Sequence, residues 1–165
     1  MEKLNKTDDL INEKEFLISY LPDSAAYKKE EEYKRHLASA VDNSTDTIVS
    51  ESLDGTIQSW NKGGEKMFGY AAKEAIEKNI SFIISANCIK DEKKISERIL
   101  QNKNIDQYET VRRKKNGKQI SVSLTLSPLK DAAGNITSVS KIARDITPRK
   151  KIEEALIISN KQNLN

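Results

Sequence analysis

The run SKIARDITPRKKIEEAL, residues 140 to 156, carries a strand into a helix with no flexible spacer between them. Strand character extends to Ile146. Thr147 then offers a hydroxyl to cap the helix that follows, and Pro148 falls at the first helical position, where a missing N–H and a fixed φ cost nothing. Asp145 stands beside the first turn, whose free N–H groups favour a carboxylate, and Arg149 and Lys150 are near enough in sequence to pair with it. Strand and helix are therefore expected to be stiffly coupled, so that a shift in a sheet reaches the helix.

Working outward from this junction, two further strands precede it. Gln107 to Arg113 and Gln119 to Ser127 are strand signals divided by the Asn116-Gly117 turn, and Asp131 to Asn135 forms the turn before Ile136 to Ile146. The middle strand is the clearest, because Ile120, Val122, Leu124 and Leu126 alternate with Ser and Thr. One strand alone does not say which of its faces meets the core. Farther upstream, Ile48-Val49 opens a short strand, Asp54-Gly55 is a hairpin turn, and Thr56 to Trp60 returns. Asn61 can cap a short helix through Met67-Phe68, closed by Gly69. Brief helices follow at Ala72 to Glu77 and Ser81 to Ser85, then a longer one over Lys90 to Leu100 with Ile95 and Ile99 facing inward. The N-terminal part reads as helical. Leu10, Ile11, Leu17, Ile18 and Leu21 share a face, Pro22-Asp23-Ser24 breaks it, and a second helix runs from charged Tyr27 to Arg35 into the apolar Leu37, Ala40 and Val41.

Two strands, several short helices and three more strands make an α+β arrangement, a five-stranded antiparallel sheet with helices on one face. The expected organisation is a helical segment over 1–22, a helix leading into the domain over 23–45, the domain itself over 46–147, and an exit helix over 148–165.

Composition limits the alternatives. A chain of 165 residues is one domain with extensions. Its 28 basic and 25 acidic residues leave a net charge of +3, too balanced to point to a polyanion. Arg112, Arg113, Lys114, Lys115 and Lys118 do gather at the Asn116-Gly117 turn, but the patch is local and lacks interleaved aromatics, so nucleic acid is not expected as a partner. No apolar run is long enough to span a bilayer, and one cysteine, Cys88, allows neither an internal disulfide nor a multi-cysteine metal site; a cytoplasmic location is expected.

The motifs Leu53-Asp54-Gly55, Ser59-Trp60-Asn61, Phe68-Gly69-Tyr70, Lys78-Asn79-Ile80-Ser81, Tyr108-Glu109-Thr110, Ser127-Pro128-Leu129 and Ala143-Arg144-Asp145-Ile146-Thr147 recur in the order found in PAS domains. Over Leu37 to Leu156 the chain resembles the S-box type of bacterial and archaeal signalling proteins, sensor histidine kinases among them. The resemblance implies a curved sheet around an interior cavity, an N-terminal helix on the outer sheet face, and a homodimer serving a kinase or other output partner. It also implies relay roles for Asp145, Ile146, Thr147 and Arg149 at the start of the exit helix.

It further implies tests for a cofactor. Flavin photoreceptors of the superfamily carry a cysteine directly after an Asn on the short helix following the Gly-Tyr motif, where this chain has Asn79-Ile80. Cys88 comes eight residues late. Haem-binding members place a histidine on the long helix, which has none here; His36, the single histidine, precedes the domain. Covalent flavin and haem are disfavoured, leaving a small organic ligand or a filled core. Ile80, Ile84, Ile95, Ile99, Tyr108, Thr110 and Ala143 are the expected lining, and an isoleucine-rich core leaves little free volume.

No enzyme is expected. Gly63-Gly64 lacks the residues of a phosphate loop, and a nucleophile with its base would require Cys88 to meet His36. Two readings remain: a sensory or relay module of a signalling protein, or a ligand-free assembly module, for which Ile152, Ala155 or Leu156, and Ser159 supply a short seam.

Overall fold

The computed structural model describes residues 24 to 162. The expected helix over Leu10 to Leu21 and its Pro22-Asp23 breaker lie outside them. The chain divides into two compact units that meet at Ala40 and Val41. Helix α1 (Ser24–Asp42), whose last two residues fall in the second unit, is charge-rich, with a Lys34–Glu30 ion pair of 2.7 Å one turn apart.

The second unit is built in the order β1 (Thr47–Ser52), β2 (Ile57–Trp60), α2 (Lys62–Phe68), α3 (Ala72–Ala75), two 3₁₀ turns (Ile80–Ile83 and Ala86–Cys88), α4 (Ile89–Leu100), β3 (Ile105–Arg113), β4 (Gln119–Lys130), β5 (Ile136–Asp145) and α5 (Thr147–Gln162). The strands lie side by side as β2-β1-β5-β4-β3, every neighbouring pair antiparallel. The first hairpin therefore sits beside the last strand, so β5 occupies the centre and delivers the exit helix.

Period-2 alternation decides which side chains enter the core. Ile120, Val122, Leu124 and Leu126 are all buried, and β4 turns this face towards the helices. Strand β4 extends three residues past the expected Ser127 and takes in Pro128. That proline is tolerated because β3 pairs no farther along β4 than Leu126, which leaves one flank of β4 open where its N–H is missing.

The helical layer follows its local signals. Asn61 Oδ1 accepts from Gly64 N at 3.0 Å, and Gly69 takes the left-handed conformation (φ 83°) that ends α2. The Asn61 amide also donates to Val41 O and Asp46 O, tying α2 to the chain entering β1. Gly63 is needed for close approach: a Cβ there would stand 2.2 Å from Asp46 O. The Gly-Gly pair is thus a packing device. Trp60 is buried against Phe68 and Phe82 and donates from Nε1 to Tyr70 O at 3.1 Å. Along α4, Ile95 and Ile99 face inward as the spacing predicts.

Candidate functional site

The inner face of the sheet is not purely apolar. Continuing the alternation of Thr47 and Val49 brings Glu51 inward on β1, and that of Val139 and Ala143 brings Lys141 inward on β5. Lys141 Nζ lies 2.7 Å from Glu51 Oε1 and 3.9 Å from Glu92 Oε2 on α4. Glu92 in turn accepts from Arg112 Nη2 of β3, and Arg112 Nη1 reaches Thr110 Oγ1 and Val111 O. Two carboxylates and two cations so form one chain across the inner side of the sheet. Arg112, counted with the basic hairpin patch from sequence, is instead 3% exposed and belongs to the interior. Burial pushes the Glu51 carboxyl above its ordinary range, against the pull of Lys141.

Two small cavities flank Lys141. One, about 20 Å³, is lined by Ile80, Ile84 and Ala143 of the expected set, with Phe68, Leu124, Glu92 and Arg112. The other, about 30 Å³, takes Ile95 and Ile99, with Glu51, Leu126 and Val139. Each volume is on the scale of a single water, which needs roughly 10–15 Å³. The expected lining residues are thus split between two spaces, and Tyr108 and Thr110 stand beside them on β3: Tyr108 packs half-buried against the core, and Thr110 Oγ1 lies 3.7 Å from Cys88 Sγ. Cys88 is buried in the 3₁₀ turn before α4. The charged chain was missed in sequence although strand alternation placed Glu51 and Lys141 inward.

The second element of the site is the root of α5. Ile146 N donates to Ser121 O at 2.9 Å, and Thr147 N donates to Asp145 Oδ1 at 2.9 Å. The Thr147 hydroxyl does not cap the helix as expected. It accepts from Ser121 N at 3.0 Å and donates to Ser121 O at 3.4 Å, because the helix starts one residue early, with Thr147 already helical and Pro148 second. Proline costs nothing there either, since none of the first N–H groups has an intrahelical partner. Nor do Arg149 and Lys150 pair with Asp145. Both turn to Glu109 on β3, Lys150 at 2.5 Å, and hold its carboxyl below the usual range, with Lys150 the larger cause. The exit helix is therefore fastened to β3, β4 and β5 at once, and its Arg149 borders a groove of about 280 Å³ with Asp46, Arg144 and Ile142. Beyond its root, Ile152, Leu156, Ile157 and Ile158 are exposed.

Among the described residues no helix is long and apolar enough to cross a membrane. A five-stranded antiparallel sheet with short helices over one face and a helix leaving its central strand defines an α+β domain. A family model described as PAS domain matches residues 45–148, more than half of the chain, and the protein belongs to that family. It is similar to the PAS domain of a protein from Colwellia psychrerythraea, with 25% identity, a TM-score of 0.64, and 70% of this chain and 98% of that one covered. The PAS domain of an HTR-like protein from Haloarcula marismortui aligns at 22% identity and a TM-score of 0.63, covering 74% of this chain and 99% of that one. A PAS domain from a two-component sensor histidine kinase does so at 17% identity and a TM-score of 0.59, covering 71% and 98%. No curated protein matches the chain.

Proposed function

We propose that the protein is the sensory or relay module of a signal-transduction protein, one that binds and transmits rather than catalyses, and that hands rearrangements of its sheet to a kinase or other output partner through α5. The observation that carries this reading is the three-strand attachment of the helix root, in which Ser121, Glu109 and Asp145 hold Ile146, Thr147, Arg149 and Lys150. A helix held at one strand could swivel freely; one held at three must follow the sheet. The likeness to the domain of a sensor histidine kinase supports the same reading.

The test is a distance measurement. Spin labels at Gln58→Cys and Glu154→Cys, with Cys88→Ala, should give a narrow distance distribution, broadened by Thr147→Val together with Glu109→Gln. A distribution already broad without those two substitutions would defeat the relay reading.

A homodimer through α5 is proposed alongside it, because Ile152 and Leu156 stand one turn apart and exposed. Sedimentation should show concentration-dependent association that Ile152→Glu with Leu156→Glu abolishes.

A further inference from the structure

The cavity between α4 and the β1–β5 pair holds an acceptor with nothing to accept from. Glu51 is 6% exposed and lines this cavity; its Oε1 is taken by Lys141, but Oε2 meets no donor among the described residues. Two other polar groups line it, and both are engaged: Lys141 by Glu51 and Glu92, and the Ser96 hydroxyl, which donates to Glu92 O at 3.0 Å. The rest of the wall, Ile95, Ile99, Leu126 and Val139, is apolar. The rim is apolar too, since Leu53 on the β1–β2 hairpin and Leu100 at the end of α4 line the same space while 49% and 58% exposed.

We infer that this cavity is the receiving site for a small neutral amphiphile carrying one hydroxyl or N–H donor, which binds Glu51 Oε2 while its apolar body lies among Ile95, Ile99, Leu126 and Val139. The charge count sets the class. Glu51, Lys141, Glu92 and Arg112 balance, so a charged ligand would bring an uncompensated buried charge. The cations are already engaged: Lys141 by two carboxylates, Arg112 by Glu92, Thr110 and Val111. What the site lacks is a donor, and buried acceptors in proteins are satisfied. At about 30 Å³ the cavity must widen to admit more than a water, and the rim pair Leu53 and Leu100, on a hairpin and a helix end, is where it can part. This inference rests on the sensory reading and names the ligand class for it.

Phenol and its donor-less methyl ether, anisole, are the probes. Titrated into the isotope-labelled full chain, phenol should shift the amides of Ile95, Ile99 and Val139, binding at least about tenfold more tightly than anisole, a difference of one good hydrogen bond to a charged group. Glu51→Leu should erase that preference, and Leu100→Asp, on the surface where folding is not at risk, should weaken phenol without touching Glu51. Equal affinity for the two probes, shifts confined to other residues, or no binding at millimolar phenol would overturn the inference. The amide shifts report occupancy whether or not α5 responds, so failure of the relay reading and failure of this site are separately visible.

Discussion

Thr147 Oγ1 and the backbone N–H of Ser121 meet at 3.0 Å, so a side chain of the exit helix completes the hydrogen bonding of a strand that is not its neighbour in sequence. Thr147→Val keeps the shape and removes this bond together with the return donation to Ser121 O. Each such bond contributes about 0.5–1.5 kcal/mol, so the variant should lose about 1–2 kcal/mol in urea unfolding. Native-state amide exchange should quicken at Ser121 and over the first turn of α5 while α4 is unaffected. Unchanged exchange at Ser121 would show the contact to be incidental.

Glu109 gives the helix root a pH dependence of definite sign. Lys150 and Arg149 lower its pKa in the folded protein, so the stabilisation is present above the unfolded value near 4.5 and is lost as pH falls through the depressed folded value. The melting temperature of the native protein should exceed that of Glu109→Gln at neutral pH, and the gap should close on acidification below 4.5. The gap is expected to be modest and to shrink with salt, because the groups are exposed. Glu51 contributes the opposite sign, its raised pKa favouring the folded state at low pH and losing that advantage as pH rises, but it is common to both proteins and cancels. A gap that widens in acid would refute the Glu109 assignment.

Gly63 and Gly69 separate two reasons for glycine. A methyl at residue 63 would press on the backbone carbonyls of Asp46 and Ser44, at 2.2 and 2.8 Å, which cannot move without displacing β1. Gly63→Ala is expected to cost about 3 kcal/mol or more. At Gly69 the nearest atom is the Lys115 Cβ at 3.4 Å, so Gly69→Ala meets only the left-handed backbone, worth about 1–2 kcal/mol. Thermal melts that rank the two the other way would contradict the close approach of α2 to β1.

The difference between what could and could not be read in advance is visible in β4 and its neighbours. Ile120, Val122, Leu124 and Leu126 state their strand and their shared face, and the Asp145-Ile146-Thr147 junction states its continuity, because both depend on residues close in sequence. Pairings across the fold do not. Arg149 and Lys150 choose Glu109, about forty residues away, over the adjacent Asp145, which is already bound to the Thr147 N–H. The interior charges stayed hidden for another reason: hydropathy assigns Glu51, Lys141 and Arg112 to solvent, while the strand period assigns them inward, and the period wins once Glu92 on α4 supplies a partner. Ile80 and Ile84 border one interior space and Ile95 and Ile99 another, a division on either side of Lys141 that no local pattern in the sequence states.

The Glu92–Arg112 pair allows the interior charges to be tested directly. Both side chains are largely shielded, at 14% and 4% exposed, so the attraction is little screened while the desolvation of each ion is already spent. Arg112→Met strands the Glu92 carboxylate with only Lys141 at 3.9 Å, and Glu92→Met strands the guanidinium; each should cost about 3–5 kcal/mol. The double variant leaves no orphaned charge between them and replaces the pair with flexible apolar side chains of similar length, an exchange that is often close to neutral. Its loss should therefore fall well short of the sum of the two single losses, with a coupling of about 2–3 kcal/mol in a urea-unfolding cycle. Additive losses would mean that Glu92 and Arg112 do not share one buried interaction, and the continuous charged chain from Glu51 to Arg112 would then be broken at its last link.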